Sequence, residues 1–447
     1  SAAYASLERH GDLEIYKGPQ AALPVITLML DISGSMDIID LANNNTCSNN
    51  IQTQSSTTDY PYERKYCNSG GKRYYRRIDN LKMGVSDLVR DPELQGIVKI
   101  GIGTYPRQSS GNKDNGHIDV PAKTLNAAHK STIDSFVLNL RASGGTPAAQ
   151  AYAEAGAYMM GTTTNKATYN AFKLEKETYK DNRGNFFNGG DNNQTDSICV
   201  GWEVIDISSL SPSNNFIRCN DWQDTSSRLD SNELDLNGHI MYSSTGNGFF
   251  SNKIDFYKKE VAANDPLITS NSINPYPLFD TTITDNAYSG FPYSVVTSKT
   301  ANGRFYDKPL PASNETCAGN GIYFLTDGEP NASSKEIAKT VMDNALKPVG
   351  SSTGALSVTC SAGGASGWDC MSDFSGKLLN TANPSGIAIK TATVGFGSVY
   401  NSIQNATTNV DCNAGTSTNA KNLCNLGING QGGFYYAESA EDIVNSV

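Results

Sequence analysis

Three oxygen-bearing side chains follow an apolar run near the start of the chain. Residues 25–36 read VITLMLDISGSM, in which Asp31, Ser33 and Ser35 occupy alternate positions around a glycine. The apolar run predicts a buried β-strand. Carboxylate and hydroxyl oxygens are ligands for a hard cation such as Mg²⁺, which takes about six oxygens near 2.0–2.1 Å. The motif therefore predicts a cation site, although serines in this position can also cap a helix.

Two segments far from residues 25–36 in the sequence carry further oxygen-bearing side chains. The stretch SGGTP at 143–147 precedes an alanine-rich helical pattern at 148–160, and GIYFLTD at 321–327 predicts a second buried strand that ends in Asp327. Because proline is tolerated in the first turn, Thr146 is predicted at a helix N-terminus. In a doubly wound sheet the carboxyl ends of the strands share one edge. We therefore expect Thr146 and Asp327 to lie near Asp31.

The remaining pattern predicts an α/β fold with a doubly wound, mostly parallel sheet flanked by helices. Apolar runs predict further strands at 97–105, 118–120, 387–396 and 433–437, and a half-exposed strand at 12–16. Helical spacing predicts helices around 78–89, 133–140, 148–160, 333–346, 374–379 and at the C-terminus. No internal repeat is present in the sequence.

The domain organisation follows from length and from a change in composition. A chain of 447 residues exceeds the size of most single cores, and helical periodicity is absent from 162–320. A structureless loop of that length is implausible, so we predict an inserted β-rich subdomain there. It would separate a first part at 1–161, which contains an inserted loop at 41–72, from a second part at 321–447.

Charge and composition narrow the function classes. The formal net charge is -10, and only 18% of residues are charged. This acidic balance argues against nucleic acid or an anionic membrane as partner and favours a cation as ligand. No apolar run is long enough to span a bilayer. The chain starts at Ser1 without an initiator methionine or signal peptide, which we interpret as a mature or excised fragment.

Nine cysteines lie in segments rich in Asn, Gly and Ser. They fall into the neighbouring pairs Cys47 and Cys67, Cys199 and Cys219, Cys360 and Cys370, and Cys412 and Cys424, with Cys317 left over. None has the tight spacing of a zinc site, so disulfides in an oxidising compartment are the preferred interpretation. Eight cysteines allow about 105 connectivities, and neighbour pairing is one hypothesis among them.

The sequence offers little for catalysis. His10, His117, His129 and His239 are scattered, none adjoins a nucleophile motif, and we interpret all four as surface imidazoles. Neither nucleotide-binding glycine motif, GxxxxGK[ST] or GxGxxG, occurs. We expect a protein that is not an enzyme.

Taken together, DISGS, the helix-opening GGTP and the strand ending in TDG resemble the von Willebrand factor A domain and its metal-ion-dependent adhesion site. The resemblance implies five metal-site residues, Asp31, Ser33, Ser35, Thr146 and Asp327. It implies Mg²⁺, with Ca²⁺ or Mn²⁺ as alternatives, and a Rossmann-like fold. Asp37 and Asp40 could hold a second ion, but acids in the first turn of a helix are the preferred interpretation.

The segments DLEIYKGPQAALPVITLMLDISGSM and GGFYYAESAEDIVNSV also resemble the N-terminal region of PilC/PilY-type proteins of type IV pili. That resemblance implies an adhesin exported through the periplasm to the pilus tip on the bacterial surface. Its partners would be a host-cell or surface receptor, protein or glycan, and minor pilins through the full-length protein. The alternative is an assembly module that caps the pilus by binding minor pilins. A Gram-positive tip pilin is a third interpretation.

Overall fold

The computed structural model describes most of the chain outside the middle region. The described residues are 22–41, 45–106, 115–173, 197–205, 216–224, 240–241, 257–260, 279–284, 286–301, 303–311, 319–328, 330–331, 333–349, 356–360, 366–403 and 410–445, with backbone alone for 168–284. The strand predicted at 12–16 lies outside these residues. The chain divides into two compact units, one of 1–166, 285–349 and 354–447 and the other of 167–284 and 350–353.

A six-stranded sheet forms the centre of the first unit, in the order β15-β14-β13-β1-β5-β6. Its strands are β1 (Val25–Asp31), β5 (Lys99–Tyr105), β6 (His117–Thr124), β13 (Gly321–Thr326), β14 (Lys390–Phe396) and β15 (Gln431–Ala437). All neighbours pair in parallel except β5 and β6, which are antiparallel. This arrangement confirms the predicted fold class. Most of the central strands are buried on both faces, because helices cover both sides of the sheet.

Helices pack on both faces of this sheet. They are α1 (Arg77–Arg90), α2 (Ala127–Leu138), α3 (Ala148–Met160), α4 (Lys335–Ala345), α5 (Trp368–Leu379), α6 (Thr418–Asn429) and α7 (Ala440–Asn445). One hydrophobic core contains residues of α3, α4, α5 and α6, and the other contains residues of α1, α2 and α7. The chain therefore winds to both sides of the sheet, as a Rossmann-like fold requires.

Helix α3 is the most deeply buried element of the first unit. All 13 of its residues are buried, and most are alanine or glycine. The small side chains allow close packing, and the ring of Tyr152 makes edge contacts with Phe324 and Phe374. The length of α3, as well as its start at Ala148, agrees with the sequence pattern.

Several elements differ from the sequence predictions. The inserted loop predicted at 41–72 contains an antiparallel sheet of β2 (Gln52–Gln54), β3 (Arg64–Ser69) and β4 (Lys72–Tyr75). These strands are polar and largely exposed, so they lack the apolar alternation that identifies a strand. Helix α6 is absent from the predicted helices. It has polar residues on much of its surface and begins at an N-cap, where the Ser417 hydroxyl accepts from Ala420 N at 3.1 Å.

Three of the proposed neighbour disulfides are present. Cys47 is bonded to Cys67, Cys360 to Cys370, and Cys412 to Cys424. Cys199 and Cys219 lie on the paired strands of the second unit, but their side chains and Cys317 lie outside the described residues. Within the first unit the disulfides link loops to nearby strands or helices, and this confirms the neighbour pairing for those six cysteines.

The second unit is built from β-strands. They are β7 (Lys166–Lys173), β8 (Ser197–Ile205), β9 (Phe216–Asp224), β10 (Ile240–Met241), β11 (Tyr257–Glu260) and β12 (Phe279–Thr284). They form two three-stranded sheets in the orders β10-β8-β9 and β11-β7-β12. Residues 285–320, which we predicted as part of the inserted subdomain, belong to the first unit. In the described part of the chain, no helix has the length and apolar character needed to cross a membrane.

Candidate metal site

The candidate site lies where the winding of the sheet changes direction. Strand β1 pairs with β5 on one side and with β13 on the other, so the carboxyl ends of β1 and β13 are adjacent. Asp31 ends β1, and Asp327 follows directly after β13. In open α/β sheets, ligands bind at this switch point, because the loops leave it in opposite directions.

A chain of hydrogen bonds joins four of the five predicted residues. Asp31 Oδ1 accepts from Ser33 N at 2.8 Å, and the Ser33 and Ser35 hydroxyls lie 3.0 Å apart. The Ser35 hydroxyl donates to Asp327 Oδ1 at 2.7 Å. The second oxygen of Asp31 accepts from the Thr326 hydroxyl at 2.9 Å. The structure therefore brings Asp31, Ser33, Ser35 and Asp327 into one cluster.

The loop that carries Thr146 lies against this cluster through its backbone. Gly144 O accepts from Gly34 N at 3.0 Å, and Ser143 N donates to Ile32 O at 2.9 Å. Gly144 has a φ of 84°, and a Cβ there would lie 2.7 Å from Pro106 Cγ, so this position requires glycine. Thr146 is buried, and its backbone N donates to Asn331 Oδ1 at 2.9 Å. The neighbouring loops place Thr146 at the same edge of the sheet as Asp31.

An arginine that the sequence analysis did not identify completes the surroundings of Asp327. Arg77, the first residue of α1, donates from Nη1 to Asp327 Oδ2 at 2.8 Å and from Nε to Asp40 Oδ2 at 2.6 Å. Gly397, with a φ of 106°, leaves room for the guanidinium, since a Cβ there would lie 3.0 Å from Arg77 Nε. Arg77 therefore holds one oxygen of Asp327, while Ser35 holds the other.

Burial and neighbouring charges control the ionisation of the two carboxyl groups. Burial and the charge of Asp327 raise the pKa of Asp31 to about 7. Burial also raises the pKa of Asp327, although the charge of Arg77 opposes that shift. For Arg77, burial lowers the pKa, but its hydrogen bonds and ion pairs with Asp40 and Asp327 outweigh this and raise it. A positive charge between the two carboxylates would favour the ionised form of both.

The donor set fits a hard divalent cation. Two carboxylates and two serine hydroxyls belong to one hydrogen-bonded cluster in which Ser35 is partly exposed. Oxygen ligands of this kind suit Mg²⁺, Ca²⁺ or Mn²⁺. Across the described ranges no three His, Cys, Asp or Glu side chains form a metal-ligating group. The candidate site depends instead on the hydroxyl groups of serine and threonine. Its remaining coordination positions would be open to water or to an external ligand.

The other predicted polar residues have mixed outcomes. Asp37 lies in a short 3-10 helix at Gly34–Asp37 and pairs with Arg76 at 2.7 Å. Asp40 pairs with Arg77 and lies outside any helix, so the prediction that Asp40 lies in the first turn of a helix was wrong. His129 is buried, with Nε2 2.6 Å from Ile100 O, so its interpretation as a surface imidazole was also wrong. His117 is partly buried and pairs with Asp119.

Arg77 and Asn331 are the polar partners that the sequence analysis missed. Arg77 contacts Asp327 across 250 positions of sequence, Asn331 contacts Thr146 across 185 positions, and no motif marks Arg77 or Asn331. The sequence shows only that Arg77 is a charged residue at the start of a predicted helix, and its contact with Asp327 appears only in the structure. Its role depends on tertiary packing, which the sequence does not display.

The comparisons with known proteins give weak structural similarity. No family model matches the chain, and no curated protein matches it. A mutant of the PilB minor pilin from Streptococcus sanguinis aligns with 95% of this chain at 12% identity and a TM-score of 0.31. Two structures of the pilus adhesin SpaC from Lactobacillus rhamnosus GG align with 38% and 73% of the chain, at 17% and 13% identity and TM-scores of 0.20 and 0.22. The chain covers 60% of the PilB structure and 19% and 27% of the SpaC structures.

Proposed function

We propose that this chain is a metal-dependent adhesion module of the von Willebrand factor A type. The observation that carries the proposal is the hydrogen-bonded cluster of Asp31, Ser33, Ser35 and Asp327 at the switch point of a doubly wound sheet. With Thr146 on the adjoining loop, these residues would hold a divalent cation, with Mg²⁺ as the first choice. A bound cation would supply an electrophilic centre for an oxygen ligand from outside the protein.

The charge distribution supports an acidic partner. Only two of the five proposed metal-site residues carry a formal charge, and Arg77 offsets part of the charge of Asp327. A divalent cation in these surroundings keeps a net positive potential, so it favours a carboxylate over a neutral oxygen. The loop backbone at Gly34 is exposed and Ser35 is half-buried, so the rim of the site reaches the surface of the first unit. An external acidic group can therefore approach it.

The wider biological role is proposed from the sequence resemblance. We place the module extracellularly on the bacterial surface, at the tip of a type IV pilus of the PilC/PilY type, where it would bind a host or surface receptor. It would act without catalysis. The alternative assigns the domain to pilus assembly through minor pilins, with the metal and the disulfides for stability. The partly exposed rim favours adhesion, because a purely structural ion needs no approach from outside.

The test compares Asp31→Asn with Asp37→Asn in cation and receptor binding. Asp31 is fully buried in the cluster, whereas the Asp37 side chain is 61% exposed and pairs with Arg76. We expect Asp31→Asn to weaken Mn²⁺ binding, measured by electron paramagnetic resonance, by about a hundredfold, and Asp37→Asn by less than about threefold. A glycan and host-protein screen should then give binding in Mg²⁺ that EDTA removes. Equal Mn²⁺ affinity in both variants would refute the metal site.

A further inference from the structure

A polar cavity lies in the first unit, and none of its lining residues belongs to the Asp31 cluster. It has a volume of about 570 Å³ and lies between the start of β3 with the residues before it, the first turns of α1, and the C-terminal end of α2. We name it the α1–α2 cavity. The residues that matter below are Tyr62, Lys65, Arg76, Asp79, Lys82 and Arg141, all of which line it. Its size falls within the range of small-molecule sites, which is about 300–1,000 Å³.

Lys82 is the unusual residue of this cavity. Its side chain is almost fully buried, at 3% exposure, and its Nζ donates to Leu138 O at 2.9 Å. The same ammonium lies 4.1 Å from the centre of the Tyr62 ring. No carboxylate forms an ion pair with Lys82 among the residues that the structure describes. An ammonium has three donors and buried lysines are normally paired, so this cavity-lining group has donor capacity left for a ligand.

Tyr62 provides a second donor in the same wall. Its hydroxyl is buried and has no hydrogen-bond partner within the described part of the molecule. Burial and the charge of Asp79 raise the pKa of Tyr62, so the hydroxyl keeps its proton near neutral pH. A buried hydroxyl without an acceptor is unfavourable, because it has lost its hydrogen bond to water. An acceptor from outside the protein would remove that unfavourable contribution.

Two carboxylates line the cavity: Glu63 is exposed, and Asp79 is already neutralised. Both oxygens of Asp79 accept from Arg76, at 2.8 and 3.1 Å, and one also accepts from Lys65 N at 2.9 Å. Arg141 and Lys82 add two positive charges, and the charge of Arg141 contributes to lowering the pKa of Lys82. The wall therefore combines unfilled donors with an excess of positive charge. This combination suits an anion more than a cation or a neutral ligand.

We propose that the α1–α2 cavity binds a small oxyanion, a carboxylate or sulfate group, held by Lys82 and Tyr62. Arg141 at the rim adds positive charge, and the volume accommodates the sugar ring of an acidic monosaccharide. This binding requires no cation.

Lys82 supplies a reporter for the bound anion. Burial, followed by the charge of Arg141, lowers its pKa to about 8, while Asp79 opposes the shift and Arg76 adds to it. An anion beside the ammonium would raise this pKa, because it stabilises the charged form. The shift can be followed by NMR of ¹³C-methylated lysines across a pH titration.

The experiment titrates the whole chain with sulfate, with glucuronate and with neutral glucose at constant ionic strength. We expect both anions to bind and to raise the Lys82 pKa by at least about one unit, and glucose to do neither. Lys82→Gln should weaken anion binding by about tenfold or more, and Tyr62→Phe by about threefold or more. Lys390→Gln, an exposed lysine at the start of β14, should leave it unchanged.

The outcomes separate this inference from the metal site. Asp31→Asn should keep the anion affinity, because its carboxyl group does not line the cavity. If Lys82→Gln does not fold, Tyr62→Phe decides the question. Glucose binding as strong as that of glucuronate, or an unchanged Lys82 pKa in saturating sulfate, would overturn the inference, whatever the result for Mn²⁺.

Discussion

Asp31 shapes its loop through its own hydrogen bonds. Its carboxylate accepts from Ser33 N and from the Thr326 hydroxyl, so it joins the loop after β1 to the end of β13. These bonds position Ser33 and Ser35 before any ligand arrives, which lowers the ordering cost of binding. A polar residue at the end of a buried strand can thus organise a site and also belong to it.

The residue types at the site were predictable, and their partners were not. Asp31, Ser33, Ser35 and Asp327 follow apolar strands, and strand ends meet at one edge of a parallel sheet. That rule needs no knowledge of side-chain packing. The contact of Arg77 with Asp327 spans 250 positions in sequence and depends on how α1 packs against the sheet. Nothing in the local sequence determines it.

Glu154 on α3 should make stability depend on pH. It is fully buried, and its carboxylate accepts from the Thr164 hydroxyl, from Gly290 N and from the Tyr306 hydroxyl. Burial raises its pKa from 4.5 to about 7, although those hydrogen bonds and the charge of His117 oppose the shift. Because the folded-state pKa is raised, the stabilisation is present below about pH 4.5 and is lost as pH rises through 7.

We therefore expect Glu154→Gln to flatten the pH dependence of unfolding. The wild-type chain should lose up to about 3 kcal/mol of its free energy of unfolding from this group between pH 4.5 and 8, and the variant should lose much less. Urea unfolding at several pH values measures the difference. The exposed Glu93→Gln variant serves as the control and should follow the wild type. Parallel curves for wild type and Glu154→Gln would contradict the assignment.

At the scale of elements, prediction succeeded where a single apolar pattern decides the structure. Strand β1 and helix α3 have clear patterns, and both start and end where the sequence indicates. Strands β2 to β4 are polar, and backbone pairing rather than burial defines them. Helix α6 follows the N-cap residue Ser417 and lies in a segment rich in asparagine. Elements that depend on pairing or capping leave a weak sequence signal.

Two glycines in neighbouring helices should respond oppositely to alanine. A Cβ at Gly156 of α3 would lie 2.6 Å from the Phe374 ring, whereas a Cβ at Gly376 of α5 meets nothing within 4 Å. We expect Gly156→Ala to reduce the free energy of unfolding by about 1–3 kcal/mol through overpacking. Gly376→Ala should increase it by about 0.5–1 kcal/mol, because alanine favours helix. Chemical denaturation of the two variants gives both values, and equal effects would contradict this account of the packing.

At the scale of the whole molecule, the two segments of the first unit that flank residues 167–284 are linked to each other. Asn286 N donates to Asn165 Oδ1 at 3.0 Å, so the two segments that flank residues 167–284 are hydrogen-bonded to each other. The returning segment is then fixed to the first unit. Tyr306 N donates to Thr162 O at 3.0 Å, and the Tyr306 ring lies at the edge of the Tyr158 ring. The described residues of the two hydrophobic cores all lie outside 167–284.

Replacement of residues 167–284 by a short Gly-Ser linker should therefore leave the first unit folded. Because the two ends are adjacent, the linker closes a short loop at small entropic cost. We expect cooperative unfolding and Mn²⁺ affinity within about threefold of the intact chain, since the proposed metal residues all belong to the first unit. Receptor binding in the Mg²⁺ screen should be lost or altered if the second unit selects the partner. Loss of cooperative folding in the shortened chain would show that the second unit contributes to the stability of the first. That result would contradict the prediction that the first unit folds without residues 167–284.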